Sequence, residues 1–326
     1  MILAVDGGNS KTDVALLAES GELLGHARGP LSSPHHLGLP VSLDVLQLLV
    51  DEVGLNGRRA DLAEVLLAGV DFPEEEDELR AAVDERGWAA RTIVGNDTFA
   101  VLRAGTERAF GIAIVCGAGI NCVGIGPDGR QVRFPALGDI TGDWGGGYDV
   151  GMAGLAAAAR SEDGRGPATC LEQEVPAYFE LDSALEVAHA IHTGQLPKRR
   201  VVELAPVVMA AAVTDDVAAA IVERLATEIV ALARAAVTRL GLAQEPVDIV
   251  VGGGLMRGAD DALLGRIAAG LLDVGPALEL HRTAAPPIVG AALLALDELS
   301  APPEAQDRAR AELAAAVERI ERTEVR

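Results

Sequence analysis

Aromatic side chains are scarce in this chain. They make up 3% of its 326 residues, against 49% for hydrophobic residues as a whole. Its cores must therefore be aliphatic, built on Ala, Leu and Val. Cysteine is scarce as well: Cys116, Cys122 and Cys170 form no CxxC pair, and reduced thiols buried as small apolar residues are the expectation. Basic residues are outnumbered, 27 Lys and Arg against 49 Asp and Glu, which leaves a formal net charge of -22. A broad basic surface for nucleic acid is thereby excluded. An anionic ligand would need local N–H groups and a cation to hold it. Only two lysines are present, Lys11 and Lys198. There is no 18-residue apolar run and no basic leader, so a cytoplasmic protein without a membrane partner is expected.

What the chain does have is a strand–turn–strand unit that occurs twice. The first copy runs Ile2-Leu3-Ala4-Val5-Asp6-Gly7-Gly8-Asn9-Ser10-Lys11-Thr12-Asp13-Val14 and the second Ile112-Ala113-Ile114-Val115-Cys116-Gly117-Ala118-Gly119-Ile120-Asn121-Cys122-Val123. Each continues into a further turn, at Glu19–Glu22 or Pro127–Arg130, and a third strand. Turns of this kind aim backbone N–H groups at anions, phosphate above all.

Periodicity and breakers extend this pattern into an α/β chain. Strands are predicted at 2–5, 13–18 and 22–28, a helix at 41–53, a strand at 64–69, a helix from Glu74 to Arg86 and a strand at 91–95. A short helix follows beside Asp97. Three strands at 110–134 restart the pattern. A helical region at 147–240 follows, broken near Gly164–Pro167, Pro176 and Pro197. A strand at 247–251, a helix, a strand at 277–281 and a helix at 287–299 complete it. These give a lobe over 1–106, which helix 287–299 would rejoin, a lobe over 107–286, and a charged amphipathic tail helix over 300–326. Length alone suggests two domains.

In the first turn Gly7 and Gly8 would let the backbone approach a phosphate and adopt positive φ. Asn9, Ser10, Lys11 and Thr12 would supply polar contacts, and Asp6, ending a buried strand, is placed to hold a hydrated Mg²⁺. An ordinary hairpin would also use Asp-Gly-Gly. The second turn precedes a strand, not a helix, which disfavours a Rossmann dinucleotide site, and no GxxxxGK[ST] loop is present. A third turn, Gly252-Gly253-Gly254-Leu255-Met256, follows a buried strand and would admit an adenine ring and ribose. Asp97 is either a helix N-cap or a general base for a hydroxyl that attacks a γ-phosphate. The loop Leu137-Gly138-Asp139-Ile140-Thr141-Gly142-Asp143-Trp144-Gly145-Gly146-Gly147 offers Asp143 for sugar hydroxyls, and its glycine run reads as a hinge or anion site. His35 and His36 read as a surface loop or a substrate rim.

Taken in order, Asp-Gly-Gly-x-x-Lys-Thr-Asp, Asn96-Asp97, Gly-x-Gly-x-Asn, Gly-Asp-x-Gly-Gly and Gly-Gly-Gly resemble a known set. It is that of the actin/sugar-kinase/Hsp70 ATPase superfamily, and within it the N-acetylglucosamine kinase-like branch, the BadF/BadG/BcrA/BcrD family. The resemblance covers residues 1 to about 299. It implies a duplicated ribonuclease H-like fold with a mixed five-stranded sheet in each lobe, ATP with Mg²⁺ as the nucleotide, a sugar as the second substrate and a homodimer. By the same resemblance Gly7 to Thr12, with Gly117, Ala118, Gly119 and Asn121, would hold phosphates. Gly252, Gly253, Gly254 and Met256 would line the adenosine segment. Asp97 would activate the sugar's 6-hydroxyl, and His35, Asp71, Gly138 and Asp143 would contact the sugar.

Two departures stand out. Members of mammalian type have Gly-Thr-Gly-Ser-Asn where this chain has Gly117-Ala118-Gly119-Ile120-Asn121, so two hydroxyl donors are missing. The loop that supplies an Asn to the N-acetyl sugar reads Ser33-Pro34-His35, with Pro34 at the Asn position. The expected activity is ATP-dependent phosphorylation of an amino sugar, N-acetylglucosamine first, with glucosamine or another hexose as the alternative. Two other classes stay open: an ATPase activator of a partner enzyme, and a non-catalytic sugar sensor.

Overall fold

The computed structural model describes residues 1–324; the last two residues of the predicted tail helix lie outside the described residues. The chain divides into two compact units. The first comprises Met1–Ala113, Arg133–Pro135 and Thr283–Arg326, and the second Ile114–Val132 and Ala136–Arg282.

The first unit is built on β1 (Ile2–Gly7), β2 (Lys11–Leu17), β3 (Leu23–Pro30), β4 (Ala60–Leu67) and β5 (Ala89–Gly95), in the sheet order β3-β2-β1-β4-β5. β1 pairs antiparallel with β2 and parallel with β4, and β4 pairs parallel with β5. Every residue of β1 is buried, as a central strand covered on both faces requires. Connecting these strands are α1 (Pro34–Leu37), α2 (Leu39–Glu52), α3 (Pro73–Arg86) and α4 (Thr98–Gly105). α1 is a single turn where a loop was expected, started by Pro34 at its first position. Leu3, Val5, Val14 and Leu16 face one core with Leu43, Leu46, Leu79 and Val83 of α2 and α3. Ile2, Ala4, Ala15 and Leu17 face the other.

The second sheet opens with β6 (Gly111–Cys116), whose last three residues fall in the second unit, β7 (Ile120–Ile125) and β8 (Gln131–Arg133), of which all but Arg133 falls there. The expected long helical region follows as α5 (Gly146–Glu162), α6 (Leu171–Tyr178), α7 (Ala184–His192), a 3-10 helix (Lys198–Leu204), α8 (Ala205–Ala211) and α9 (Asp216–Leu240). Its breaks fall at Gly164–Pro167 and Pro197 as read, but Pro176 lies inside α6, which ends two residues later. A proline near a C-terminus removes one intrahelical bond and is tolerated there more readily than in mid-helix. α9 starts on an Asp215 carboxylate that accepts from Val217 N and Ala218 N and stops at left-handed Gly241. β9 (Val247–Gly252), α10 (Gly254–Arg257), α11 (Asp261–Leu272) and β10 (Leu278–Arg282) complete the sheet β10-β9-β6-β7-β8. Read from its other edge this is the strand order of the first sheet, so the duplication is one of whole sheets.

The chain then rejoins the first unit through α12 (Pro287–Glu298) and α13 (Pro303–Glu324). α12 is apolar nearly all round and eight of its twelve residues are buried, because the sheet, α4 and α13 enclose it. At Gly290 a Cβ would overlap the Ala100 carbonyl of α4, so the crossing requires glycine. α13, expected as a charged amphipathic tail helix, buries Ala309, Leu313 and Val317 in this same core. Among the described residues no single helix is long and apolar enough to cross a membrane.

Candidate active site

Parallel strands release their loops at one edge of a sheet, and in the first unit three carboxylates gather there. Asp6 lies at the end of β1, Asp71 follows β4, and Asn96 and Asp97 follow β5. Asn96 is buried and works in both directions. Its amide donates to Asp71 Oδ1 at 2.9 Å, and its Oδ1 accepts from Thr98 N at 2.9 Å. The capping role that Asp97 could have filled thus falls to its neighbour; Asp97 makes no capping hydrogen bond. Burial, and then the charge of Asp71, push the Asp97 carboxyl up to about 7, and the backbone N–H groups of Asp97 and Thr98 offset this only in part. Asp6 is raised well above the usual carboxylate range, first by burial and then by Asp97 and Asp13. Two buried acids, each raised by burial and by a neighbouring carboxylate, beside a phosphate-type turn form a site where a divalent cation or a proton relieves the repulsion.

The turn itself is tighter than read. Gly8 N donates to Lys11 O at 2.9 Å, which closes a two-residue hairpin with Asn9 and Ser10 exposed at its tip. Neither Gly7 nor Gly8 has the positive φ expected of them. Gly7 is instead required by close packing, since a Cβ there would overlap Leu67 and Ser32. Thr12, predicted to face phosphate, is fully buried and donates to Ser32 Oγ at 2.7 Å. Asp13 is the buried partner of His26 (2.9 Å) and Arg28 (2.9 and 3.0 Å). Burial alone would raise its pKa, but these hydrogen bonds outweigh it and hold the carboxylate below the usual range. Lys11 Nζ lies 3.5 Å from Glu321 of α13, as does Arg28 Nη1. Sequence reasoning missed Ser32, the His26–Asp13–Arg28 group and Glu321. Only Asp13 lay inside a motif, and nothing local marks a contact spanning 310 residues.

In the second unit three glycine turns meet around the end of β6. Gly147 N and Tyr148 N, at the start of α5, donate to the carbonyls of Gly117 and Ala118 at 2.8 Å each. A Cβ on Gly146 would overlap Gly119, and one on Gly253 would overlap the Cys116 carbonyl; both glycines have positive φ (76° and 93°). The run Gly145–Gly147, read as a hinge or anion site, therefore commits the Gly147 amide to the second turn and the Gly145 amide to Asp149 Oδ2. Above Gly117 and Gly119 lies open space, and Ala118 and Gly119 are exposed. Ile120 is buried and packs against Gly145. Asn121 turns its Oδ1 to Cys122 N at 2.7 Å. Gly252 is buried, Gly253 half-buried and Gly254 exposed, whereas Met256, expected to touch adenosine, is fully buried.

The remaining sugar candidates divide between the units. His35 is exposed in α1, edge-on to His36, and its Cβ would crowd any side chain at Gly69, which follows β4. Gly138 (φ 59°) opens a 3-10 turn in the second unit, where Asp143 ties its own loop through Oδ2, which accepts from Leu137 N at 3.1 Å and from the Thr141 hydroxyl. Arg224 of α9 stacks 4.0 Å over the Trp144 ring beside it, a contact sequence reasoning did not foresee.

Two copies of a mixed five-stranded sheet, each with a Gly-rich turn after its first strand, define a duplicated actin-like ATPase fold of the ribonuclease H-like class. A solved structure from Chromobacterium violaceum, described as a candidate N-acetylglucosamine kinase, shares it. The TM-score is 0.71 at 24% identity, over 90% of this chain and 98% of that one. Residues 3–295 match the BadF/BadG/BcrA/BcrD ATPase family, and the chain belongs to it. It is 28% identical over 260 residues to the N-acetylmuramic acid/N-acetylglucosamine kinase of Clostridium acetobutylicum, covering 78% of this chain and 85% of that protein. It is 25% identical over 315 residues to the N-acetyl-D-glucosamine kinase of Dictyostelium discoideum, covering 91% and 98%.

Proposed function

We propose that this protein is an ATP-dependent sugar kinase that transfers the γ-phosphoryl group to the 6-hydroxyl of an amino sugar, with N-acetylglucosamine the first substrate to test. The observation that carries the reading is Asp97: a carboxylate at the parallel-strand edge, released from capping by Asn96 and raised to about 7. A base of that proton affinity accepts a hydroxyl proton near neutral pH more effectively than an ordinary carboxylate. Asn96 fixes Asp71 beside it, and Asp71 is the natural partner for a second sugar hydroxyl. In the second unit the open backbone of Gly117–Gly119 suits phosphate oxygens, and exposed Gly254 suits the nucleoside. Asp6 fits a hydrated Mg²⁺, being a hard oxygen donor whose proton affinity is raised by burial and then by the carboxylates around it. Such an ion neutralises charge on the transferred phosphoryl group. Its neighbour Thr12 serves to fix the turn.

The relatives' names support an amino sugar as acceptor. An activator carrying an iron–sulfur cluster is less consistent with these thiols. Cys116 and Cys122 are completely buried, and burial pushes the Cys116 thiol up to about 12 and Cys122 higher still. The test is ADP release across N-acetylglucosamine, glucosamine, N-acetylmuramic acid and glucose, with the position of the phosphate read by NMR. Sugar-dependent ADP release with the phosphate on O6 is expected. Hydrolysis indifferent to every sugar would replace this reading with the activator, and sugar binding without ADP would replace it with the sensor.

A further inference from the structure

We propose that Asp248, Glu279 and His281 form a Zn²⁺ site on the outer edge of the second sheet, apart from the residues assigned to phosphoryl transfer. β10 is an edge strand paired in parallel with β9, and the register sets Glu279 opposite Asp248. His281, two residues further on, returns to the same face of β10. The three donor atoms lie within 4.8 Å of one another. His281 Nε2 is 3.4 Å from Asp248 Oδ1 and 3.8 Å from Glu279 Oε2. Ligands at about 2.0–2.2 Å from a tetrahedral zinc sit about 3.4 Å apart along the tetrahedron's edge, so the first pair is already at bonding separation. The second closes by a small rotation of the Glu279 side chain, which is 58% exposed.

His281 supplies the specific evidence. Its ring is partly exposed, but Nε2 is shielded from solvent and makes no hydrogen bond. With the ring proton on Nδ1, the Nε2 lone pair faces two carboxylate oxygens without an aligned hydrogen bond, an arrangement that a bound cation satisfies. The donor set then chooses among cations. Two carboxylates would serve Mg²⁺ or Ca²⁺, which take oxygen throughout, whereas an imidazole shifts preference toward Zn²⁺. Three protein ligands leave a fourth position for water on the exposed side. Bound there, the ion cross-links β10 to its single neighbour, and the chain's charge of -22 favours its capture.

The test compares chelator-stripped wild type with His281→Ala and Glu279→Gln, by equilibrium dialysis against Zn²⁺ alone and by thermal unfolding. Wild type should hold one Zn²⁺ more than His281→Ala, and Zn²⁺ should raise its Tm but not that of the variant. Glu279→Gln, at an exposed position, should weaken binding by about tenfold or more. Metal-free Tm should agree across the three proteins, and sugar-dependent ADP release with Mg²⁺ should be unchanged. Equal Zn²⁺ stoichiometry and affinity in wild type and His281→Ala would overturn the site. So would Mg²⁺ raising Tm as much as Zn²⁺ in both proteins.

Discussion

The β1–β2 hairpin and the β6–β7 hairpin hold the same place in two sheets of the same strand order, and they solve their local problems by opposite means. The first closes on a two-residue tip and is ringed by side-chain chemistry: Asp6, Asp13, Lys11, buried Thr12 and the carboxylates after β4 and β5. The second carries almost no polar side chain. Its backbone lies open, and it is supported from below by amides of α5 and by the close approach of Gly253. The frame is thus common to both copies while their surroundings differ, acids around the first and open backbone at the second. In the first hairpin glycine serves packing, at Gly7; in the second it serves access, at Gly117 and Gly119.

The sharpest break of that comparison is Asp97→Asn. Removing the proposed base from the acid-rich unit while leaving the backbone-rich unit intact should lower kcat by roughly 10²–10⁴-fold. ATP affinity measured by calorimetry should hold. With Asp97 as the proposed base its ionised form is the working one, and because its pKa is raised to about 7, kcat/KM in wild type should rise with pH through 7. Stability runs the other way. A carboxyl raised from 3.8 in the unfolded chain contributes stability that is complete below that value and lost as pH climbs to about 7. Asp97→Asn should therefore be at least as stable as wild type at pH 8. A variant that keeps most of its sugar-dependent turnover would remove Asp97 from the chemistry.

Next in size is the contrast between two glycines of the second unit. Gly253→Ala places a Cβ against the Cys116 backbone in a positive-φ conformation, and should destabilise the fold by roughly 1–3 kcal/mol from strain alone. Gly119→Ala meets open space without positive φ, so its Tm should match wild type while KM for ATP rises several-fold. Urea unfolding and ADP-release kinetics on the pair separate support from access. If Gly119→Ala leaves KM for ATP untouched, the open turn is not a nucleotide contact.

Much of this was legible in the sequence because the fold writes itself into apolar strands and glycine turns at fixed places. β1 and β9 are short buried runs ending in glycine and β6 is one followed directly by glycine, and such runs have few alternative structures. The acid cluster was legible as residue types, Asp6, Asp71 and Asp97, without their relation. Asn96 was quoted only as part of a motif, yet its two hydrogen bonds decide that Asp97 is not spent as a cap. The contacts that escaped are non-local or run against pattern. Glu321 reaches Lys11 from the far end of the chain. Glu64 sits buried in the middle of β4 and is pushed up to about 8 by burial and then by Glu298. Thr12 and Met256 were assigned by motif position, and burial redirected both.

The smallest expected effect concerns the two hydroxyls that the second turn lacks. Ala118 and Ile120 look equivalent as losses, but the structure separates them. Ala118 is exposed above open backbone, while Ile120 is buried and packs against Gly145. Ala118→Thr adds a donor at no packing cost, and one added hydrogen bond is worth about 0.5–1.5 kcal/mol, so KM for ATP should fall roughly two- to tenfold. Ile120→Ser would delete buried apolar surface beneath the α5 start and should lower Tm with no gain in KM. If both variants improve KM alike, the packing role assigned to Ile120 is wrong. The second hairpin would then be a worn copy of a polar turn and not one built around its backbone.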